Sequence, residues 1–551
     1  MKRCPEFRRD YYDDSLMYCL DDGTALLEGP ASLDEPETAV LSADRPSEAA
    51  TRILEPGPTS SSPEAHVATN RQSIIAGVIG VVLVTALGIG SYLYYGRGQS
   101  RQISSIAVMP FTNESGNPDM EYLSDGMTET LISTLTQLPD LNVKARSSVF
   151  RYKGKETDPA ALGRELNVQA ILNGRVVQRG DELTLYLELV DAVTGNQIWG
   201  EQYDRKQSDL VSLQRELARD VASKLQAKLS SADQQKLAKN YTSNPEAYQL
   251  YLKGTSYWNK RGEKNIEIAI GYYQQAIDID PNYALAYTGL ADAYSQPSQQ
   301  PQGMPKARAA AMKALSLDDS LPEAHGALGG ILARFDLDLP AGEREYQRAL
   351  ELNPNNGGIR CRYGRLLTQA GRFESAEAEY RRGLELEPDS LVCNLSYGSM
   401  LTNARRYDES EKQLRKTRQL DENFFLVYGN IANLYQLTGN FADSVNARAR
   451  AAELNGDNQV ADQIRESFAK HGWEGYLRFM AEDARQRRKE SYPEARFYAA
   501  LGEKDKAIAA LKNAFEERNI DFALIKVDPL LDPLRDDPRF AELLRKVRFP
   551  E

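Results

Sequence analysis

From Pro245 onward the chain repeats itself with a period near 34 residues, and no other feature limits its possible folds as sharply. The cleanest copy, residues 357–388, holds Gly364, Leu367, Gly371, Ala376, Tyr380, Gly383 and Pro388, and Pro354 to Pro388 is one step of 34. Other copies centre on Gly254/Ala269/Tyr273/Ala276/Pro281, Ala291/Tyr294/Ala307/Ala314, Gly329/Tyr346/Ala349/Pro354, Gly398/Leu401/Ser410, Ala432/Tyr435/Gly439/Ala451 and Tyr498/Gly502/Ala507/Leu511/Ala514. Each copy has room for two short helices and a turn. Small residues let the two helices touch, an aromatic fills the remaining gap, and Gly371, Gly439 and Gly502 turn the chain at a helix C-terminus. No such hairpin buries its apolar face alone, so about six to seven of them stack into an all-α superhelix over residues 245–519. The motif blurs between Asp457 and Tyr492, where irregular helices are expected.

This pattern resembles the tetratricopeptide repeat (TPR). The resemblance implies that the first helix of each repeat lines a concave surface that takes a protein or peptide. In this register the inward positions are Thr288 and Asp292, Arg365 and Thr368, Ser399 and Thr402, and Asn433 and Gln436. Their donors and acceptors suit the backbone of an extended peptide, and the Arg365 guanidinium is a fork for a carboxylate. Tyr248, Tyr251 and Trp258 stand at the N-terminal mouth, either as ligand anchors or packed against the preceding module. Residues 520–551 resemble the closing segment of such arrays, with Leu530, Leu534 and Phe540 capping the last apolar face.

Ahead of the array, residues 103–230 alternate strand and helix patterns. Ile106–Phe111 reads as a buried strand, and Leu123, Met127, Leu131, Leu135 and Leu138 fall at helical spacing before Pro139. Val143–Val149 reads as a second strand and Ala160–Leu166 as a short helix. Three hairpin-ordered strands follow, Ala170–Gln178, Thr184–Asp191 and Gln197–Tyr203, with glycines at 180 and 195 in the turns. An amphipathic helix from Asp209 to about Leu229 closes the unit. Ser124-Asp125-Gly126 reads as a capped helix start, with an anion nest as the alternative. The stretches IAVMPFTN, YLSDGMTETLISTL, VKARSSVFRYKGK, ALGRELNVQAILNGRV and LTLYLELVDAVTGNQIWGEQYDR resemble the TolB N-terminal-like domain. That resemblance implies a non-catalytic sensory or protein-binding module set between an effector and a repeat array, where the effector is a winged helix, a Ser/Thr kinase or a nucleotide cyclase.

Residues 73–95, SIIAGVIGVVLVTALGIGSYLYY, contain no Asp, Glu, Lys or Arg. About 22 helical residues reach about 33 Å, so the segment reads as a transmembrane helix in a lipid bilayer. The pairs Ala76/Gly80 and Ala86/Gly90 suit a weak homodimer through this span. The expected location is the cytoplasmic (inner) membrane, single-pass, with the head cytoplasmic and the remainder extracytoplasmic. In the head, residues 1–28, Cys4-Pro and Tyr18-Cys19-Leu-Asp-Asp22-Gly resemble a zinc ribbon of the form CPxC…FCxxDG. Phe7 stands in place of the second cysteine and Asp22 in place of the fourth ligand, leaving Cys4, Cys19 and Asp22 where a structural zinc needs four ligands. Residues 29–72, rich in Pro, Ser and Glu, read as a disordered tether.

The net charge is −12, and residues 1–70 supply eight of that excess, so no basic footprint for nucleic acid exists. Three histidines lie in three separate segments, and no HExxH, Walker A, kinase HRD or DFG, or GxSxG motif occurs. Cys361 and Cys393 sit on the first helices of adjacent repeats and read as small apolar packing residues, with a disulfide as the alternative. The expected fold class is therefore multidomain: a single transmembrane helix, a small α/β domain, then an all-α TPR superhelix. The expected function is a membrane-anchored, non-enzymatic interaction scaffold or sensor without a cofactor; the head reads as a decayed ribbon that binds zinc poorly or not at all, with a structural zinc as the alternative. The alternative is a regulatory subunit or headless relative of a signalling effector.

Overall fold

The computed structural model describes residues 103–550, except 156, 226–228, 240, 261, 297–298 and 300–301, together with three short strands near the start. These are β1 (Lys2–Arg3), β2 (Asp10–Tyr11) and β3 (Leu27–Glu28), an antiparallel sheet in the order β2-β1-β3 within a first unit, Met1–Tyr94. Cys4, Cys19, Asp22 and the 29–72 tether lie outside the described residues.

Two expectations are corrected. Among the described residues no helix is long and apolar enough to cross a membrane. A single transmembrane helix and a single-pass inner-membrane location are therefore not supported, and the 73–95 segment that prompted both lies outside the described residues. The longest described helix, Asn458–Asp483, has 26 residues but carries Arg465, Glu466, Lys470, Glu474 and Arg478. Charges at that density are too costly to place in hydrocarbon. The supported architecture is a mostly helical TPR-like array with a small sheet domain.

The second unit, Tyr95–Glu551, begins with the sheet domain. Its strands are β4 (Ser105–Val108), β5 (Thr112–Asn113), β6 (Asn142–Val143), β7 (Ala170–Arg179), β8 (Glu182–Asp191) and β9 (Gln197–Lys206), ordered β6-β4-β7-β8-β9 with β5 also on β7. β4 runs parallel to β6 and β7, and its unbroken apolar run Ile106-Ala107-Val108 is fully buried, as a strand covered on both faces requires. β7, β8 and β9 form an antiparallel meander in which Leu183, Leu185, Leu187 and Leu189 alternate into the core. The expected strand at 143–149 is cut to two residues. The Lys144 amide makes the last bond to the Ile106 carbonyl, and Arg146–Phe150 turns into a helix. Pro110 prevents β4 from continuing as a partner for it.

Helix Glu121–Thr136 joins this domain to the array. Ser124-Asp125-Gly126 lies within it rather than at its start, and Asp125 pairs with Lys153 at 2.5 Å. A Cβ on Gly126 would stand 2.9 Å from Leu252 of the first array helix, so this crossing needs glycine. Leu131, Leu213, Tyr248, Leu252 and Tyr273 belong to one continuous core.

Six successive helical hairpins follow: Pro245–Lys260 with Glu263–Ile279, Ala284–Tyr294 with Gly303–Leu317, Pro322–Arg334 with Leu339–Leu352, Gly357–Ala370 with Phe373–Leu386, Leu391–Asn403 with Tyr407–Leu420, and Phe425–Leu437 with Phe441–Leu454. In the blurred stretch stands the helix Asn458–Asp483, bent at Gly472, and a seventh hairpin, Ser491–Ala500 with Lys504–Glu516, comes after it. Buried tyrosines key the hairpins together. A Cβ on Gly254 or Gly289 would come within 2.7 or 2.6 Å of the Tyr273 ring, and one on Gly364 within 3.2 Å of Tyr380. A polar ladder repeats at the same period. Glu343 accepts from the Tyr363 hydroxyl and from Arg372, both at 2.7 Å. Glu377 accepts from Tyr397 at 2.8 Å and Arg406 at 2.5 Å, and Glu411 accepts from Tyr435 at 3.1 Å.

Two features depart from the repeat pattern. Cys361 and Cys393 are joined in a disulfide across adjacent hairpins, their Cα atoms 5.5 Å apart, where packed thiols were expected. Gly383 makes room for it, since a Cβ there would lie 2.5 Å from the Cys361 sulfur. The chain after Glu516 also does more than cap the last hairpin; it runs back to hairpins three, four and five. The Arg548 amide donates to the Leu337 carbonyl at 2.8 Å, Lys526 donates to the Ala370 carbonyl at 2.9 Å, and Arg405 donates to Asp532 at 2.8 Å. Leu530, Leu534 and Phe540 are buried in this strap.

The disulfide closes a loop with a sequence separation of 32. The double variant Cys361→Ser, Cys393→Ser should lose roughly 3–4 kcal/mol in urea unfolding; an unchanged midpoint, or titration of all four thiols in the denatured, unreduced wild type, would contradict the bond. The ladder predicts an acid effect. Hydrogen bonds from Arg406, then Arg381 and Tyr397, hold the Glu377 carboxyl down to about 2 from 4.5. A carboxyl whose pKa is lower in the folded state stabilises the protein above its unfolded pKa, and that contribution fades as pH falls from about 4.5 towards 2. Glu377→Gln should therefore cost about 1–2 kcal/mol at pH 7, discounted because Arg406 is partly solvated, and the gap from wild type should close near pH 2.

Candidate functional site

The first helices of hairpins three to six, the seventh hairpin and the strap enclose a groove of about 920 Å³. Five of the eight expected concave residues line it: Arg365, Thr368, Ser399, Thr402 and Asn433. Thr288 and Asp292 line a separate cavity of about 220 Å³ at the first two hairpins, and Gln436 borders neither. The register thus places most of these residues on one concave face but divides them between two spaces.

Their polar groups differ in availability. The Thr368 hydroxyl donates to the Gly364 carbonyl at 2.8 Å, and Thr288 does the same to Ala284 at 3.2 Å. Both are buried, and the bonding is the one a threonine within a helix makes four residues back. Thr402 reaches Ser410 at 2.7 Å and Gly398 at 3.3 Å. Ser399 donates to Asn430 and Asn433 accepts from Arg448, each at 2.5 Å. Asp292 accepts from Arg362 at 3.1 Å. Arg365 alone of the eight is a charged group in the groove with no ion-pair partner among the described residues.

A second arginine, which the register missed, stands beside it. Arg334 ends the helix Pro322–Arg334 and also lines the groove. Burial, with the neighbouring Arg365 guanidinium as the next cause, pushes its pKa down to about 10. Asp521 offers partial compensation at longer range, outside ion-pairing distance. Elsewhere in the groove the same chemistry is neutralised: Arg496 donates to Asp528 at 2.5 Å, and Arg488 pairs with Asp483 at 2.9 Å and Glu490 at 3.0 Å. The groove therefore offers two adjacent cations, donor and acceptor side chains from Ser396, Asn403 and Asn430, and apolar flanks from Leu395, Leu426 and Leu437. Such a lining suits an extended chain that carries a carboxylate or another planar anion. Among the described residues no group of three or more His, Cys, Asp or Glu is placed to hold a metal ion, and the zinc-ribbon residues of the head are not among them.

Residues 338–395 match the family model for the tetratricopeptide repeat, so the helical region is a TPR array of the type that forms protein-interaction scaffolds. Residues 101–220 match the model described as the second domain of HilA/YgeH-like transcriptional regulators. Among curated relatives, "Putative adenylate cyclase 3" of Rhizobium meliloti is 32% identical over 227 residues, 40% of this chain and 39% of that protein. The transcriptional regulator HilA of Salmonella typhimurium is 29% identical over 132 residues, 23% of this chain and 24% of that protein. The chain thus spans well under half the length of either relative. Among solved structures, YrrB, described as a TPR protein with an unusual peptide-binding site, is 20% identical, covering 35% of this chain and 97% of its own with a TM-score of 0.25. Pseudomonas aeruginosa PilF is 21% identical, covering 37% and 98%, with a TM-score of 0.28.

Two adjacent guanidiniums in a partly buried groove destabilise the empty protein. Arg334→Met, which keeps the apolar stem and removes one charge, should raise the urea midpoint by about 1 kcal/mol of stability. A loss of stability of that size would show instead that the Arg334 charge is satisfied within the fold.

Proposed function

We propose that the chain is a non-catalytic interaction scaffold whose concave TPR groove binds a segment of a partner protein, with a carboxylate of that segment on Arg334 and Arg365. The observation that carries this reading is the unpaired arginine couple in a groove whose other arginines are matched by acids. Ser399, Thr402 and Asn433 line the same face, and Thr288, Asp292 and Gln436 extend the register on either side. The sheet domain is proposed as a sensory or protein-binding module of the TolB N-terminal-like kind, docked on the first hairpin.

A second reading makes the chain a regulatory part of a signalling effector. Its support is that two relatives similar to part of this chain are named as a putative adenylate cyclase and a transcriptional regulator. Under this reading the partner segment belongs to such an effector.

A crosslinked pulldown with the full chain distinguishes these. Partners held through the groove should be lost in the double variant Arg365→Ala, Asn433→Ala while circular dichroism shows intact helix. Retention of every partner by the folded variant would sink the groove reading. Recovery of a cyclase, kinase or transcriptional regulator among the groove-dependent partners would favour the second reading over a general scaffold.

A further inference from the structure

The smaller cavity lies between the sheet domain and the first two hairpins, away from the groove. It measures about 220 Å³ and is walled by residues from both sides of the seam, including Thr130 and Gln214 from the sheet domain and Tyr251, Tyr283 and Glu323 from the array. Tyr251 is central to its aromatic wall, with ring centroids 5.9 Å from Tyr273 and 5.3 Å from Tyr283.

Three polar groups at this cavity, on Gln214, Arg215 and Glu323, lack the partners that buried groups ordinarily have. Gln214 is 8% exposed, and its Nε2 amide donates to nothing, although its Oε1 accepts from the Tyr248 hydroxyl at 3.5 Å. Glu323 has no lysine or arginine within ion-pairing distance, and its carboxyl meets only its own backbone amide. Burial pushes that carboxyl up and Asp292 adds to the effect, while Arg362 offsets only part of it. The neighbouring charges are otherwise engaged, except at Arg215, which also lines the cavity and whose buried Nε donates to nothing. Glu129 is paired with Arg146 at 3.2 Å, Asp292 with Arg362 at 3.1 Å and Lys239 with Asp318 at 2.5 Å, and Lys236 faces the carbonyls of Gln137 and Leu352 at 3.5 Å. Glu323 lines the same cavity as Tyr241 and Tyr251, and its charge adds to the rise that burial causes in both phenols. A carboxylate in a tyrosine-walled cavity, with spare donors on Gln214 and Arg215, is complementary to an organic cation that also carries an acceptor.

We propose that this cavity binds a small organic amine, with its ammonium on Glu323, its acceptor on the Gln214 amide and its body against Tyr241, Tyr251 and Tyr283. The site is independent of the partner groove. Because its walls come from both the sheet domain and the array, an occupant would strengthen their seam, which gives a scaffold a means of sensing a metabolite.

Calorimetric titration of the full chain with tyramine, histamine and putrescine tests this, with 4-hydroxyphenylacetate as the anionic isostere of tyramine. At least one amine should bind saturably with Kd below about 1 mM, and tyramine should bind at least about tenfold more tightly than its isostere. Glu323→Gln, which removes an uncompensated charge and should therefore fold, is expected to weaken amine binding at least about tenfold. Gln214→Leu should weaken the acceptor-bearing amines more than putrescine. The groove variant Arg365→Ala, Asn433→Ala should bind amines as wild type does. No saturable binding by any amine, equal binding of the isostere, or full affinity in folded Glu323→Gln would each overturn the proposal.

Discussion

The array depends on the contact of a buried tyrosine with a glycine of a facing helix. Tyr273 lies against Gly254 and Gly289, Tyr346 against Gly329, and Tyr380 against Gly364, and any Cβ at these glycines would be at or inside the limit of ordinary contact. The aromatic ring fills the space that the missing side chain leaves, which sets how closely the helices of a hairpin approach. In hairpin five Leu414 takes the place of the tyrosine against Gly398, where a Cβ would stand 2.7 Å away. Because close-packed interiors tolerate neither a void nor an overlap there, each hairpin is nearly the same rigid body, and stacking copies of it generates curvature. The concave face is therefore a consequence of this packing, and the groove residues are positioned by contacts they do not themselves make.

The two ends of the array are closed by different means. At the N-terminal end the sheet domain supplies helix Glu121–Thr136, which packs on the first hairpin through the Gly126–Leu252 contact and continues its core. At the C-terminal end the bent helix, the seventh hairpin and the strap turn back over hairpins three to five, and main-chain bonds of Arg548 with Leu337 and Leu339 fix the return. Without that return the concave face would be an open trough; with it the face becomes a groove of about 920 Å³ with two walls of different origin. The disulfide between hairpins four and five lies in the part of the array that the strap covers, which reinforces the most enclosed stretch.

Much of this was legible from spacing. The period of 34 placed the helical hairpins because small residues recur where helices must touch, and the meander was marked by alternation and by the glycines at 180 and 195. What escaped the sequence was set by tertiary neighbours. Val143–Val149 has strand-like composition, yet its only parallel partner ends before Pro110, so pairing stops at once. Cys361 and Cys393 are 32 apart, close to one repeat, and it is the stacking of adjacent hairpins that brings their Cα atoms to 5.5 Å. Of the groove residues, the register found the positions but not their state: Thr368 and Thr288 spend their hydroxyls on their own helix. Arg334 lies at a helix C-terminus outside the inward positions, and only the fold shows that it lines the same groove as Arg365.

The contrast among the arginines bears on what the groove is for. Arg496 sits by Asp528, itself 2% exposed, at 2.5 Å, and Tyr492 donates to the same carboxylate at 3.1 Å. That arrangement satisfies a buried cation within the fold and holds the strap to the seventh hairpin. Arg334 and Arg365 share the groove but not the solution, and the Arg365 charge adds to what burial already costs Arg334. Buried like charges destabilise a protein unless something opposite meets them, and a methionine or leucine at either position would fill the same volume without that cost. A groove shaped only for stability would have matched them with acids, as it matched Arg488 and Arg496. On the proposed reading of the groove, the negative charge that these two unmatched forks lack comes from the partner segment, and a planar anion that accepts from both would answer it.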